Sequence, residues 1–415
     1  MLLPPDCEDF KYPTEVVPHY GQAAKERKRW PRWEFECHAA RLLLEGNSVG
    51  LFGLRRIGKS SSMEGVTELL RKASVIPITI ELQGSNCIED LVSELVNACE
   101  RQREPTIANN IRGIFTDTMI RLPATVINTL RIRTGGAANA QAKQATPRDV
   151  FDFLQTILGS IAERLRKSEQ KIVLILDELP FFCQNLHQHS DAKAGDITAF
   201  LAELRRWRSA GLPMLIGGSI GVHRLERDLG IDPNLLGDLN YDQLHTLEKE
   251  EAAAMTDALA KGCQFSFWTP DYTTVILDTV PAAYPAFFHK IFLELRKEAR
   301  LQKLSVEKTK TIAVATTEEV LQKNFFPQFD HRLRYYEKGD ADVAKTLFRT
   351  LSKNNEDIEA KVLGKAFPKD WTLEQRSRIL SALIQDDFLK KPSKNQYSFA
   401  TPLVSMWWSE QNSLI

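Results

Sequence analysis

Residues 48–62 contain a complete phosphate-binding motif. They read Ser48-Val-Gly-Leu-Phe-Gly53-Leu-Arg-Arg-Ile-Gly58-Lys59-Ser60-Ser-Ser62, and the part from Gly53 to Ser60 matches G-x-x-x-x-G-K-[ST]. The apolar run 49–52 predicts a strand before the loop, and residues 60–73 predict a helix after it. Backbone N–H groups of such a loop, the positive end of the following helix and the Lys59 ammonium together attract phosphates. The motif in this context predicts binding of a nucleoside triphosphate.

The loop supplies most of the candidate nucleotide contacts. Its glycines let the backbone approach the phosphates without a Cβ in the way. The Ser60 hydroxyl is of the type that ligates Mg²⁺ in such loops. The side chains of Arg55 and Arg56 are two cations beside the phosphates, and they must face either ATP or a partner charge. We therefore predict nucleotide contacts for the following loop residues: Gly53, Arg56, Gly58, Lys59, Ser60 and Ser61.

Polar residues end two further apolar runs. Lys171-Ile-Val-Leu-Ile-Leu-Asp177-Glu178 places two acids after a strand-like run, and Pro213-Met-Leu-Ile-Gly-Gly-Ser219 places a serine after another. Continuous apolar runs of this length are typical of strands covered on both faces in a parallel sheet. In a chain with a phosphate-binding loop, this is the Walker B arrangement, in which Asp177 holds Mg²⁺ and Glu178 polarises the attacking water. We expect Ser219 to hydrogen-bond the γ-phosphate or that water.

Hydrolysis also requires positive charge on the phosphate oxygens that develop charge in the transition state. Candidate arginines are Arg205, Arg206 and Arg208, on the helix before Ser219, and Arg224 just after it. We select Arg224 as the candidate catalytic arginine, acting across a subunit interface. The alternative for each of them is an ordinary solvated surface arginine.

The bulk composition limits the class of protein. The chain has 415 residues, which suggests two or three domains, and its 43% apolar and 26% charged residues are typical of a globular protein. The 54 basic and 54 acidic residues balance, so any affinity for nucleic acid must come from local patches. No apolar run reaches membrane-spanning length, and no signal-peptide pattern opens the chain, so we expect a cytoplasmic protein. Scattered cysteines without C-x-x-C pairs argue against a zinc site or a disulfide framework: Cys7, Cys37, Cys87, Cys99, Cys183 and Cys263.

Strands alternate with helices up to about residue 245. A further strand is predicted at 75–82, and helices are predicted at 34–46, 88–100, 146–168 and 196–210. This alternation predicts an α/β core with a parallel sheet, whose ligands bind at the carboxyl ends of the strands. Gly53, Asp177, Glu178 and Ser219 all follow such ends.

Helices dominate the rest of the chain. They are predicted at 248–261, 270–280, 285–301, 317–325, 341–352 and 373–386, and a hairpin is predicted at 388–399. Two helices followed by a hairpin are the layout of a winged helix-turn-helix. We therefore expect a loosely structured N-terminal arm (1–33), an ATPase core (34–245), a helical lid (246–328) and a winged-helix domain (329–415).

The loop Gly53-Leu-Arg-Arg-Ile-Gly-Lys-Ser60 resembles the G-x-R-R-x-G-K-[ST] loop of the archaeal ATPase group, which is placed with the STAND NTPases close to AAA+ proteins. The acids after Leu176, the Gly218-Ser219 strand end and the C-terminal winged helix fit the same group. The resemblance implies a P-loop NTPase fold of AAA+ type and an ATPase whose nucleotide state controls domain arrangement or assembly. It also implies that Pro285 of Ala283-Tyr-Pro285 contacts the nucleotide, although the glycine of the group's G-x-P element is replaced here.

Two interpretations of the function follow. One is an ATP-dependent and Mg²⁺-dependent switch that rearranges or assembles with a protein partner. The other is a DNA-binding ATPase that uses the winged helix and the basic segment 101–148, which holds eight lysines and arginines against two acids. The sequence leaves open whether the partner is protein or DNA and whether the chain forms a homo-oligomer. It also leaves open whether the basic segment 25–33, with Trp30 and Trp33, binds nucleic acid or packs on the core.

Overall fold

The computed structural model of the protein describes most of the chain outside the region between residues 99 and 170. The described residues are 11–21, 23–85, 90–91, 94–95, 97–98, 159, 171–189, 194–219, 221–300, 303–334, 336–353 and 357–413. The chain divides into two compact units. The first comprises Met1–Phe10, Arg32–Phe52 and Ser62–Gln243, and the second comprises Lys11–Pro31, Gly53–Ser61 and Leu244–Ile415.

The first unit is an α/β layer structure. Its strands are β1 (Val49–Phe52), β2 (Ile76–Glu81), β3 (Ile172–Asp177), β4 (Met214–Gly218) and β5 (Asn240–Asp242). Its helices are α1 (Trp33–Leu44), α2 (Lys59–Lys72, whose first turn counts with the second unit), α3 (Leu179–His189), α4 (Ala194–Ser209) and α5 (His223–Leu229).

The strands form one parallel sheet in the order β2-β3-β4-β1-β5. All residues of β1, β3 and β4 are buried, which explains their continuous apolar sequences. Ser48 helps to set the register at the start of β1, since its hydroxyl accepts a hydrogen bond from the Met214 amide at 3.0 Å and its carbonyl accepts one from the Asn240 side chain at 3.0 Å. The register pairs Phe52 with Gly218, so β1 and β4 end side by side.

Helices α3 and α4 cover part of this sheet. The core holds the buried rings of Phe182 and Phe200 beside Leu176 and Ile216 of the strands. Burial of such a side chain stabilises the fold by roughly 1.5–3 kcal/mol. Packing of this kind makes the strand ends a rigid platform for the polar residues that follow them.

The predicted strands and the helices that flank them are present in this unit. The expected strands at 49–52, 75–82, 171–178 and 213–219 correspond to β1 to β4, and the helices expected at 34–46, 60–73 and 196–210 correspond to α1, α2 and α4. Strand β5 and helices α3 and α5 were not predicted from the sequence. The basic segment 101–148 and most of the expected helices 88–100 and 146–168 lie outside the described residues.

The second unit contains mainly helices. They are α6 (Lys249–Gly262), α7 (Pro270–Thr279), α8 (Pro285–Ala299), α9 (Val306–Val320), α10 (Phe326–Arg334), α11 (Lys338–Ser352), α12 (Ala360–Gly364), α13 (Leu373–Gln385) and α14 (Pro402–Ser413). The strands β6 (Ile358–Glu359), β7 (Leu389–Ser393) and β8 (Gln396–Phe399) form an antiparallel sheet in the order β6-β8-β7. The predicted hairpin at 388–399 is β7 with β8.

The predicted bounds of the helix at 317–325 are wrong. Helix α9 already begins at Val306, and a π-helical turn over Leu321–Phe325 joins it to α10. Ser305 caps the start of α9, because its hydroxyl accepts a hydrogen bond from the Lys308 amide at 3.1 Å. The threonine-rich sequence of α9 has low intrinsic helix propensity, so packing and the cap stabilise a helix that the local pattern does not indicate.

Several described residues of the expected N-terminal arm pack against the second unit. Val16 has no exposed surface, and its amide donates to the Ala258 carbonyl of α6 at 2.9 Å. Trp30 is also buried and stacks on Tyr12 with 4.7 Å between ring centroids. Trp30 therefore packs on the core of the second unit, which was the alternative to a nucleic-acid contact.

Cys37 is disulfide-bonded, although the spacing of the cysteines argued against a disulfide framework. No C-x-x-C spacing signals this bond, because disulfide partners meet through tertiary structure. Cys183 and Cys263 carry free thiols. Within the described ranges, none of the helices combines the length and the apolar character that crossing a membrane requires.

Candidate functional site

The loop 53–61 has the backbone geometry of an anion-binding nest. The φ angles of Arg56 and Gly58 are 74° and 105°, in the left-handed region. Alternation of left-handed residues with ordinary ones turns neighbouring N–H groups toward a common point. A side chain at position 58 would be strained at this φ angle, which explains the second glycine of the motif.

Lys59 folds back over this loop. Its Nζ atom donates hydrogen bonds to the carbonyl oxygens of Gly53 at 3.1 Å and Leu54 at 2.8 Å. Only 5% of Lys59 is exposed, so the ammonium is held by carbonyl groups inside the loop. A phosphate oxygen is a stronger partner for an ammonium than a neutral carbonyl. The arrangement therefore presents a positive charge that an incoming anion can take over.

Other segments of the second unit contact the loop. The Arg55 amide donates a hydrogen bond to Gln328 Oε1 of α10 at 2.8 Å. The Ala24 amide donates to Ser61 Oγ at 2.9 Å. These two bonds join the loop to α10 and to the N-terminal segment.

The Arg56 side chain is held by the same N-terminal segment. Its guanidinium donates to the Gly21 carbonyl at 3.0 Å and lies 5.0 Å from the centroid of the Tyr20 ring. Burial raises the pKa of the Tyr20 phenol, although the nearby Arg56 and Lys290 charges oppose that rise. Arg56 therefore has partners within its own unit, but they are a carbonyl group and an aromatic ring and not the partner charge expected as the alternative to ATP.

In the first unit, Ser219 forms hydrogen bonds with Glu178. The Ser219 hydroxyl and the Ser219 amide both donate to Glu178 Oε2, at 2.8 and 2.9 Å. Glu178 has a φ angle of 63°, an unusual backbone conformation for a residue other than glycine. Asp177 and Glu178 are 7% and 8% exposed, so both carboxyl groups are largely enclosed. Two donors from the end of β4 thus orient the carboxylate that follows β3.

Gly217 provides the space for Asp177. A Cβ atom at position 217 would lie 3.0 Å from Asp177 Oδ1 and 2.6 Å from the sulfur of Met63. Contacts below 3.0 Å are not found for real Cβ atoms, so any larger residue would displace Met63 or the carboxylate. The glycine in β4 is therefore a requirement of the site that the sequence motifs do not reveal.

The structure places Arg224 away from any surface. It lies in α5 and its exposed fraction is 0%. Burial of the whole side chain does not favour the expected role across an interface, and that role stays a prediction. Burial of a residue is a tertiary property, and one arginine after a strand carries no signal of it.

The other candidate arginines have local partners in the first unit. Arg208 forms a two-pronged ion pair with Asp238, at 2.8 and 2.7 Å, and this pair lowers the pKa of the Asp238 carboxyl against the effect of burial. Arg206 pairs with Glu203 at 2.9 Å. Arg208 therefore has a structural role that joins α4 to the segment before β5.

Pro285 occupies the first position of α8, after Tyr284 as the N-cap residue. Proline is favoured at this position because its missing N–H would have no helical partner there. Two residues were not predicted from the sequence: Gln328, which contacts the loop in the second unit, and Gly217, which lies beside Asp177 in the first. No local signal marks either of them, since each is identified by a contact with a residue distant in the chain.

Comparisons with known proteins give a fold. No protein-family model and no curated protein matches the chain. Among solved structures, a Walker-type ATPase of Pyrococcus abyssi is similar with a TM-score of 0.52 and 12% identity, over 90% of this chain and 95% of that chain. The ORC2 protein of Aeropyrum pernix, solved as ADPNP and ADP complexes, is similar with a TM-score of 0.51 and 15% identity, over 92% of this chain and 93% of that chain.

These similarities confirm the predicted fold class. The chain has a parallel-sheet α/β core followed by a helical region, and it shares this fold with the two solved proteins. Identities of 12% and 15% are a likeness of fold, and the chemistry must be argued from the residues of this chain.

Proposed function

We propose that the protein binds and hydrolyses ATP with Mg²⁺ and uses the nucleotide as a conformational switch. The observation that carries this proposal is the order of the strands. β4 lies between β3, which ends in Asp177, and β1, which is followed directly by Gly53 of the loop. In open parallel sheets, ligands bind at the carboxyl ends of the strands. This order supports a common nucleotide site for the loop and the acids.

In this proposal the loop binds the phosphates. Gly53 and Gly58 allow close approach of the backbone, and Lys59 exchanges its two carbonyl partners for phosphate oxygens. The N–H groups of Ser60 and Ser61 belong to the first turn of α2, where the positive end of the helix dipole favours an anion.

The donor set fits Mg²⁺. The Ser60 hydroxyl and the Asp177 carboxylate are hard oxygen ligands, which this ion prefers. When bound, Mg²⁺ neutralises the charge that develops on the phosphates. Both residues act here as ligands that hold the ion.

Glu178 acts as the base that orients and polarises the attacking water. The two hydrogen bonds from Ser219 hold the Oε2 atom of Glu178 and thus orient the carboxylate. Correct orientation of a base relative to its nucleophile is a large part of catalytic power. Ser219 is therefore a positioning residue in this proposal.

The two remaining candidates have roles that follow from their surroundings. We place Pro285, at the start of α8, beside the nucleotide in the lid, as the resemblance to the archaeal ATPase and STAND group implies. Arg56 contacts the phosphates only after it leaves Tyr20 and Gly21, so nucleotide binding would loosen the N-terminal segment. Only contacts that differ between ATP and ADP can shift such an equilibrium.

Two substitutions test the proposal. Lys59→Ala should abolish ATP binding measured by calorimetry, and unchanged binding would exclude the loop as the phosphate site. Glu178→Gln should keep ATP binding while turnover falls at least about a hundredfold, as expected for loss of a general base. Normal turnover in Glu178→Gln would remove this residue from the mechanism.

Arg224 needs a separate test. If an arginine acts across an interface, mixing Arg224→Ala subunits with Lys59→Ala subunits restores activity. The Lys59→Ala subunit then supplies the arginine to the intact loop of the Arg224→Ala subunit. Because Arg224 is fully buried, we expect no recovery at any ratio. Recovery would show that oligomer formation exposes this side chain.

A second candidate function is a DNA-binding ATPase that uses a winged helix formed by α13 and the β7–β8 hairpin. The hairpin favours it, because Lys390, Lys391 and Lys394 are exposed and residues 388–399 contain no acid. The helix α13 is less favourable. Arg378 pairs with Asp340 at 2.9 Å, and Arg376 donates to the Pro368 carbonyl at 3.3 Å, so both arginines of that helix already have protein partners.

Retention of a DNA duplex tests this candidate. Retention should fall steeply between about 50 and about 200 mM salt, as for any protein that neutralises phosphates. It should also fall when Lys390, Lys391 and Lys394 are replaced together by Gln, with Lys361→Gln on α12 as the control. If DNA retention changes neither with the salt concentration nor with replacement of these lysines, the wing is excluded as a DNA contact.

A further inference from the structure

We propose that a cavity between α10, α11 and α14 binds a small organic anion with a flat aromatic body. The cavity has a volume of about 430 Å³, within the usual range for small-molecule sites. All of its lining residues lie between Asp330 and Gln411, within the second unit. The site is thus separate in sequence from the loop 53–61, and the inference does not depend on ATP hydrolysis.

The floor of the cavity is aromatic and apolar. Leu333, Tyr336, Trp407 and Trp408 line it, and all four are buried. The polar atoms of two rings are already used, because Trp407 Nε1 donates to Asp330 at 3.0 Å and the Tyr336 hydroxyl donates to Asp386 at 2.7 Å. The floor therefore presents mainly carbon surface, against which a flat ring packs favourably.

The rim of the cavity is cationic. Arg334 at the end of α10, and Lys345 and Arg349 one turn apart on α11, line it, with Asp330 as the acid among the lining residues. Neither Arg334 nor Arg349 forms an ion pair with any residue in the described part of the chain. The two arginines are exposed, so their guanidinium groups are available to a ligand.

Asp330 offsets only one of the three positive charges, so the lining residues carry a net positive charge. Its Oδ1 atom accepts hydrogen bonds from Trp407 at 3.0 Å and from the Gln411 side chain at 3.4 Å. Lys345 has its nearest acid, Asp342, at 4.0 Å, on the exposed face of its own helix. An exposed pair of this kind is weak, so Lys345 can turn to an anion in the cavity.

Arg349 links the rim to the floor. Its guanidinium carbon lies 6.0 Å from the centroid of the Trp408 ring. This places a planar cation beside an aromatic ring. A flat anion can stack on the ring while its acid group pairs with the guanidinium. An apolar floor with a cationic rim therefore selects a ligand that has an aromatic body and one carboxylate or phosphate.

The depth of the rings favours a small molecule over a polymer. Trp407 and Trp408 are 1% and 4% exposed, so they lie below the surface that a DNA duplex or a folded protein could reach. A ligand of a few rings is small enough for a cavity of about 430 Å³. Nucleic acid at the rim is then an alternative that the experiment must distinguish.

Calorimetry on the full chain carrying Lys59→Ala, which removes the main cation of the loop 53–61, tests this inference. The probes are 1-naphthyl phosphate and 1-naphthoate, which separate phosphate from carboxylate recognition, and the neutral 1-naphthol. We expect at least one of the two anions to bind, and 1-naphthol to bind at least about tenfold more weakly, because it lacks the charge-assisted contact. Equal binding of 1-naphthol, or no binding of either anion, would overturn the proposal.

Variants assign the binding to this cavity. Arg349→Gln and Lys345→Gln should each weaken the anion at least about fivefold, while Lys361→Gln on α12 leaves it unchanged. Both positions are at least partly exposed, so the variants are expected to fold, and thermal melts of each variant check this. Unchanged affinity in both variants would place the anion elsewhere. Displacement of the anion by a DNA duplex would assign the rim to nucleic acid and overturn the small-molecule proposal.

Discussion

The side chain of Gln328 caps a backbone amide of the phosphate-binding loop, since its Oε1 atom accepts a hydrogen bond from the Arg55 N–H at 2.8 Å. The two residues belong to the same compact unit although 273 positions separate them in the chain. Helix α10, which carries Gln328, also contributes Asp330 and Arg334 to the cavity described above. One helix therefore contacts the nucleotide loop and lines a second candidate site.

If the loop binds phosphate as proposed, Gln328 would compete with it for the Arg55 amide. Gln328→Ala should therefore raise the affinity for ATP about two- to tenfold, the range expected for one neutral hydrogen bond. Gln328→Glu keeps the acceptor but adds a negative charge beside the phosphates, and it should lower the affinity. Calorimetry measures both, with Gln385→Ala on the exposed end of α13 as the control. Weaker binding in Gln328→Ala would mean that this bond supports the loop instead of competing with the nucleotide.

Ser219→Ala removes one of the two donors to Glu178. We expect turnover to fall about ten- to a hundredfold while ATP affinity changes less than about twofold, because the bond orients the base and does not hold the substrate. Ser219→Thr keeps a hydroxyl and should recover most of the activity. A steady-state ATPase assay with a separate binding measurement resolves the two effects. Equal losses in Ser219→Ala and Ser219→Thr would contradict a role for the hydroxyl.

His289 makes the stability of the protein depend on pH. Burial, with a further effect of the His19 charge, lowers the pKa of this imidazole from 6.5 to about 3 in the folded state. Its Nδ1 atom accepts a hydrogen bond from the His19 amide at 3.3 Å, which requires the neutral form. The unfolded chain takes up a proton near the ordinary pKa, whereas the folded chain does not until about pH 3. The stabilisation is thus complete above the ordinary pKa and is lost as the pH falls below it.

Urea unfolding between pH 7 and pH 4.5 measures this effect. One buried histidine contributes a slope of about 1.4 kcal/mol per pH unit within that window. His289→Gln should remove this part of the slope, and His245→Gln, at an exposed position, should leave it in place. An identical pH dependence in the wild type and His289→Gln would show that the imidazole does not remain neutral in the folded protein.

Gly262 allows the N-terminal segment to dock on α6. A Cβ atom at this position would lie 2.0 Å from the Val16 carbonyl oxygen, and backbone on both sides leaves little room for adjustment. Gly262→Ala should therefore destabilise the protein by about 1–3 kcal/mol and release residues 11–31. Limited trypsin digestion should then cut faster at Lys25 and Arg27. The control is Gly339→Ala, where a Cβ meets nothing within 4 Å, and equal digestion of the two variants would contradict this docking.

Most of the sheet could be predicted because doubly covered parallel strands have sequences that are apolar throughout. β3 reads Ile-Val-Leu-Ile-Leu-Asp and all six residues are buried. β5 was missed for the opposite reason, since Asn-Tyr-Asp is polar and pairs only at the edge of the sheet beside β1. Helix α9 was missed because its threonines are poor helix formers and its stability comes from packing.

The candidate site also has parts that could be predicted from the sequence and parts that could not. The loop motif, the pair Asp177-Glu178 and the serine after β4 are each encoded within a few contiguous residues, so their chemistry could be predicted from the chain alone. The burial of Arg224, the contact between Gln328 and Arg55, and the need for glycine at position 217 depend on residues far apart in sequence. Local patterns contain no information about such pairs.

The amino-acid sequence by itself determined the phosphate-binding loop, the acids and the strand identities, because backbone conformation and local apolar patterns depend on neighbouring residues. Only the tertiary structure decided that β4 separates β1 from β3, that Ser219 holds Glu178, and that cations surround the aromatic cavity. The physical reason is that strand pairing, burial and side-chain contacts are set by which surfaces the whole chain removes from water together.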